Sequence, residues 1–209
     1  MPSVTRKPQA KRQERRERIE RQLLDATDRL MGSGASFTEL SVDRLATEAG
    51  ISRASFYVYF EDKGHLLRRL ADQVFGDLAE GAARWWSVAQ RHDPADARAA
   101  MTAIIAAFRR HQPLLFALNE MSAYDPQVSA TYTDLITQIA DRLAEVIESG
   151  RADGTIRADL EPEPTATTLT WMVERACQQT LPGRPATYDA DLANTLTQIL
   201  WSTLYLEAP

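Results

Sequence analysis

Cysteine is almost missing from this 209-residue chain. Cys177 stands alone, which excludes an internal disulfide and a thiolate metal cluster and suits a reducing compartment. Its place in an apolar helical run reads as core, with a redox sensor as the alternative. Histidine is scarce too: His65, His92 and His111 stand far apart among charged residues with no second ligand at helical spacing, so no metal or cofactor is expected. No apolar run approaches the roughly 18 residues of a membrane span, and the N-terminus lacks the apolar core of a signal peptide. These absences predict a soluble, cytoplasmic protein with no membrane partner. There is no GxxxxGK phosphate loop and no GxSxG elbow, and the carboxylates are scattered over solvent-facing helix positions. No nucleophile stands with a base, and an enzyme is not expected.

Charge is present but unevenly placed. The net charge is −5. Residues 1–70 carry 14 Lys and Arg against 10 Asp and Glu, whereas the remainder carries 10 against 19. A basic head suits phosphate contact, and an acidic body keeps a polyanion off the wrong face. Residues 1–13 are polar and basic without helical periodicity and read as a disordered arm able to follow a phosphate backbone.

The most informative stretch runs from Ser41 to Lys63. Val42, Leu45 and Ala46 keep helical spacing, Gly50 breaks it, and Ile51 returns to the apolar side before a second helix starts. Ser41 and Ser52 are placed as N-caps. The pattern predicts a helix-turn-helix, with a head over residues 14–61. Its second helix presents Arg53, Ala54, Ser55, Tyr57 and Tyr59 outward or sideways, and turns Phe56 and Phe60 inward. In a major groove, Arg53 would make the main base contact with Ser55 assisting, while Tyr57, Tyr59, Lys63 and the Ser41 cap would meet phosphates. Two alternatives stay open here: a helical hairpin that merely packs, and a Tyr59 phenol packed under the fourth helix.

Downstream, residues 62–209 read as six further helices. The fourth carries Leu66, Leu67, Leu70, Val74 and Leu78 on one stripe and runs to about Gln90; a polar turn from Arg91 follows. The last helix, from about Asp189 to Tyr205, shows Leu192, Leu196, Ile199 and Thr203 on one side and Trp201 and Tyr205 on another. That is more apolar surface than one core face needs, so the last two helices are the expected seam of a homodimer. Trp85, Trp86, Phe108, Phe116, Tyr132 and Trp171 place bulk at several levels of the body, with Ile139 in the same stripe as Tyr132 and Ile136. Polar groups fall in register with apolar ones, since Asn119 follows Leu115 by four and Thr170, Val173, Glu174 and Cys177 share a face. An apolar site with a few placed polar groups is the expected ligand pocket; a fully packed core is the alternative.

Leu45-Ala46, Ala49-Gly50-Ile51-Ser52, Phe56-Tyr57, Tyr59-Phe60, Lys63 and Leu66-Leu67 together resemble the tetracycline-repressor family of bacterial transcriptional regulators. The likeness covers about the first third of the chain. Two departures are Gly64, where the family usually has an acidic residue, and Ala54, which offers no hydrogen bond. The resemblance implies an all-α fold, a three-helix DNA-binding head on a six-helix ligand-binding and dimerisation body. It also implies a repressor released from a palindromic double-stranded operator by a small-molecule effector. A helical DNA-binding or adaptor protein without a ligand is the alternative. Met172–Ala176 and Ile199–Tyr205 are similar to the branch typified by the mycobacterial repressor of ethionamide activation. That likeness carries pocket roles onto Phe108, Leu115, Asn119, Tyr132, Thr170 and Val173, the last two more often asparagine in the branch. It implies an elongated, largely hydrophobic effector between the fifth, seventh and eighth helices.

Overall fold

The computed structural model describes residues 6–86 and 93–205, with the side chains of 11–83, 86 and 93–205. Residues 1–5 of the expected arm, the expected helix end at Gln90, the turn from Arg91 and the Trp85 side chain lie outside the described residues. Among the described residues there are nine α-helices and no strand, the all-α class expected. They are α1 (Arg6–Gly32), α2 (Val42–Glu48), α3 (Arg53–Tyr59), α4 (Lys63–Trp86), α5 (Pro94–Arg110), α6 (Gln112–Ser122), α7 (Pro126–Asp153), α8 (Pro162–Thr180) and α9 (Tyr188–Leu204). A short 3-10 turn, Phe37–Glu39, precedes α2.

α1 corrects the expected arm, because residues 6–13 are helical. Lys7, Gln9, Ala10, Lys11 and Arg12 are good helix formers, and Pro8 sits in the first turn, where a missing N–H costs nothing. The division of the chain also differs from the expected boundary at 61/62. Among the described residues, 6–71 and 113–130 form one unit, and 72–86, 93–112 and 131–205 form the other. Side-chain bonds explain why α6 joins the head: the Glu120 carboxylate accepts from Ser36 Oγ at 2.8 Å and from Thr38 Oγ1 at 2.7 Å.

The first unit is built around fully buried Leu23, Phe37, Leu40, Leu45, Phe56, Phe60 and Leu67. Burying one such side chain stabilises the fold by about 1.5–3 kcal/mol. The Phe56 and Phe60 rings lie 5.4 Å apart. Arg29 of α1 ties down the end of α2, donating to Glu48 Oε1 at 2.7 Å and to the Glu48 carbonyl at 3.1 Å. Gly64, one of the two departures from the family pattern, makes room for a carboxylate. A Cβ there would lie 2.5 Å from Asp125 Oδ2. Asp125 Oδ1 in turn caps α7, accepting from Gln127 N at 2.8 Å and Val128 N at 3.2 Å.

In the second unit α5 begins with Asp93 as N-cap and Pro94 at its first position. Its buried face of Ala97, Met101, Ile104 and Phe108 follows helical spacing. α9 packs on α5 through Leu192, Leu196 and Leu200, all buried. Arg109 clasps the α8–α9 connection, with Nη2 2.6 Å from Asp189 Oδ1 and Nη1 donating to the Leu181 carbonyl at 2.8 Å. Leu192 and Leu196 thus form the core face of α9, in the interior of their own chain. What α9 leaves exposed is Ile199 with Thr195, Gln198 and Ser202, while Trp201 is half-buried against Tyr205 at 4.2 Å.

Candidate nucleic-acid interface and internal cavity

The turn between α2 and α3 is set by hydrogen bonds that local sequence dictates. Ser41 Oγ accepts from Arg44 N at 3.2 Å and Ser52 Oγ from Ser55 N at 3.0 Å, so both serines cap as expected. Gly50, at φ +69, donates to the Thr47 carbonyl, and Ile51 donates to the Ala46 carbonyl. That pair of bonds closes α2 in a Schellman motif, which needs a left-handed residue at the glycine position.

α3 then exposes Ser52, Arg53, Ala54, Tyr57 and Val58, with Ser55 and Tyr59 half-buried. Phe56 and Phe60 face inward and hold it down. Arg53 is not a free cation: its Nη1 lies 2.5 Å from Asp43 Oδ2 of α2, and its guanidinium sits 5.6 Å from the Tyr57 ring centroid. Both partners of the ion pair are 59% exposed. Such a pair is worth at most about 1 kcal/mol and opens readily for a phosphate or a guanine edge.

Lys63 requires a correction. Expected beside groove phosphates, its ammonium donates instead to the carbonyls of Leu40 at 2.7 Å, Thr38 at 2.8 Å and Phe37 at 3.2 Å. An ammonium has three protons, and all three are engaged. Burial lowers its pKa, against the nearby Glu120 carboxylate, which raises it. Lys63 therefore fixes the loop that leads into the Ser41 cap. Asp43 and Glu120 escaped the sequence reading because each acts through a partner distant in sequence.

The second unit holds an apolar cavity that opens to the surface. It leaves about 70 Å³ for the centres of water-sized spheres, space for several water molecules. α4 contributes Leu78, Ala82 and Trp86; α5 contributes Met101, Ile104 and Phe108. α7 adds Ile136, Ile139 and Leu143, α8 adds Leu169, Thr170, Val173 and Glu174, and α9 adds Leu200. Trp86, Phe108, Ile139, Thr170, Val173 and Glu174 of the expected pocket thus stand in one wall. Leu115 and Asn119 do not, because they belong to α6 and the first unit. Tyr132 reaches the wall through a hydrogen bond to Glu174. A second hollow of about 410 Å³ between α4 and α7 shares Trp86 and Ile139 with the first and adds Phe75, Ala79 and Leu135.

One polar cluster interrupts the apolar wall. Tyr132 Oη donates to Glu174 Oε1 and accepts from Gln178 Nε2 at 2.9 Å. Phe75 and Trp171 meet the Tyr132 ring edge-on at 5.6 and 6.2 Å. Burial pushes the Glu174 carboxyl above its usual range, opposed by the Tyr132 hydrogen bond and by Arg175. The Tyr132 phenol is raised by burial and by Glu174. Burial likewise lifts the Cys177 thiol to about 12. Gln178 was missed by the sequence reading, although it stands four residues after Glu174 on the same face.

A capped helix-turn-helix with an exposed recognition helix, in a chain whose second unit holds an apolar cavity, is the architecture of a DNA-binding transcriptional regulator. Residues 23–70 match the bacterial regulatory proteins of the tetR family, and residues 97–206 match the C-terminal domain of the transcriptional regulator EthR. The chain belongs to the tetR family, in the branch with an EthR-type C-terminal domain. It is 29% identical over 214 residues to the HTH-type transcriptional regulator EthR of Mycolicibacterium smegmatis, spanning 99% of this chain and 96% of that one. It is 28% identical to EthR of Mycobacterium tuberculosis over 81% of this chain and 79% of that one. Its fold resembles that of FadR from Bacillus subtilis in complex with stearoyl-CoA, with TM-score 0.70 and 14% identity over 87% of this chain and 97% of that one. No described helix is long and apolar enough to cross a membrane.

Proposed function

We propose that this regulator is a cytoplasmic repressor, a homodimer bound to an inverted-repeat operator and released by a small, largely hydrophobic effector. The observation that carries the reading is the apolar cavity walled by five helices, one of which, α4, directly follows the helix-turn-helix in the chain. A larger effector would have to part that wall and shift α4, and a ligand that binds one packing better than another moves the population between them. The FadR of similar fold carries stearoyl-CoA, an apolar chain on a polar head. On the DNA side, Arg53 would read a base edge once released from Asp43. Ser55 would assist, Tyr57 and Tyr59 would meet phosphates, and the Ser41 and Ser52 caps would fix the helix. Ala54, without a polar group, allows close approach to the groove.

Dimerisation would use what α8 and α9 leave outside, Ile199 with Thr195 and Ser202 and the half-buried Met172 and Ala176 of α8. One three-helix head makes a small interface, and specific sites usually pair two. Genome-wide mapping of bound DNA, followed by footprinting with the compounds handled by adjacent genes, tests the whole reading. An inverted-repeat site vacated on ligand addition is the expected result. A site without symmetry, or a 23.4 kDa species alone in ultracentrifugation, overturns the dimer.

A further inference from the structure

The cavity wall is apolar except at Thr170 and Glu174, and one oxygen of the Glu174 carboxylate is unanswered. Glu174 is 3% exposed. Its Oε1 takes the Tyr132 proton, and that proton has no other direction available, because Gln178 Nε2 already donates to the phenol oxygen. Oε2 has no hydrogen-bond partner at all. The nearest cation, Arg175 Nε, lies 3.7 Å from Oε2, beyond hydrogen-bond reach, on a side chain 51% exposed and so largely hydrated. A carboxylate oxygen set in hydrocarbon without a donor is costly. Tyr132 and Gln178 are themselves buried polar groups arranged to keep this carboxylate in one orientation.

We propose that the effector carries a protonated nitrogen on an apolar body, its N–H donated to Glu174 Oε2 and its body laid along Val173, Ile139 and Phe108. This rests on the effector reading above and names the chemistry of its ligand. A neutral hydroxyl would complete the hydrogen bond and leave the charge. A carboxylate would add a second negative charge beside the first. Only a cation with a donor answers both deficits. Of the two polar side chains that α8 gives the wall, Thr170 and Glu174, only Glu174 carries a charge.

The test uses the full chain and three probes sharing one apolar body: 4-phenylbutylamine, 4-phenylbutan-1-ol and 4-phenylbutyrate, each titrated calorimetrically near neutral pH. The amine is expected to bind about ten-fold or more tighter than the alcohol, the acid weakest. Glu174→Gln, nearly the same shape, is expected to bring amine and alcohol to within about two-fold. Equal binding of amine and alcohol to the native chain, or an amine preference that survives in Glu174→Gln, overturns the proposal while leaving the cavity as a ligand site. Binding of none of the three overturns the effector site itself, and the proposal with it. Should Glu174→Gln not fold, the native ranking decides: amine first supports the proposal, alcohol or acid first defeats it.

Discussion

Asp43 of α2 holds Arg53 of α3 by a 2.5 Å contact between carboxylate and guanidinium, so the cation best placed to read a base is paired within its own head. DNA must compete with that carboxylate. Asp43→Asn is therefore expected to raise affinity for every sequence, because it frees Arg53 and removes a negative charge facing the phosphates. Arg53→Ala should instead cost about 1–3 kcal/mol and flatten the preference at one operator position. Anisotropy titrations on matched and scrambled sites separate the two effects. An unchanged preference in Arg53→Ala would assign base reading elsewhere.

Lys63 gives the opposite kind of prediction. Its three carbonyl bonds make it part of the fold, so Lys63→Met should lower the melting temperature and leave the salt slope of DNA binding nearly unchanged. Hydrogen bonds from a charged donor are each worth about 1.5–3 kcal/mol. A loss of that size corresponds to several degrees in a protein of this length. A salt slope reduced by about one, with melting unaffected, would restore Lys63 to the phosphates.

Glu174 makes stability depend on pH. A carboxyl whose folded pKa is raised above its unfolded value, 4.5, stabilises the fold below that value and loses the contribution as pH rises through the folded one. Glutamine has no such dependence. The melting temperature of the native chain relative to Glu174→Gln should fall as pH rises above 4.5. A constant difference over that rise would mean the carboxyl titrates normally.

Cys177 should be inert. With its thiol lifted to about 12 by burial, the thiolate fraction near neutrality is negligible, and labelling by a disulfide reagent should wait for unfolding. Rapid labelling of the folded chain would instead point to an open cavity wall and revive the redox alternative.

Filling the cavity tests its role in release. Val173→Phe places a ring into the space and should abolish effector-dependent loss of DNA while folding stays nearly intact. A melting temperature lower by many degrees would show a site already packed, since overpacking costs about 1–3 kcal/mol.

The helix-turn-helix was legible residue by residue because its determinants are local. A serine before a helix, a glycine after one and two phenylalanines four apart each act within a single turn, and Ser41, Ser52, Gly50, Phe56 and Phe60 all do what spacing predicts. What spacing could not show is where a long side chain ends. Lys63 reaches back to carbonyls 23 to 26 residues away, and Glu120 reaches hydroxyls more than 80 residues away. Asn119 and Leu115 have the periodicity of the pocket-facing residues, yet α6 groups with the head, and periodicity does not say which neighbour a face meets. Residues 6–13 read as an arm for a related reason: that part of α1 is charged and has no apolar stripe to announce a helix.

Gly64 and Asp125 carry a consequence for how this sequence can drift. The family's acidic residue at the start of α4 is absent here, yet a carboxylate stands at that place all the same, delivered by Asp125 from the start of α7 and 3.8 Å from Arg68. It stands beside Asp62, which caps α4 by accepting from His65 N at 2.6 Å, so two carboxylates meet the positive end of that helix. An acid placed at 64 would be forced into the space Asp125 occupies, and losing the acid at 125 would remove the cap of α7 and leave Asp62 alone at the start of α4. The missing side chain at 64 and the carboxylate at 125 fit one space, so a change at either position is constrained by the other.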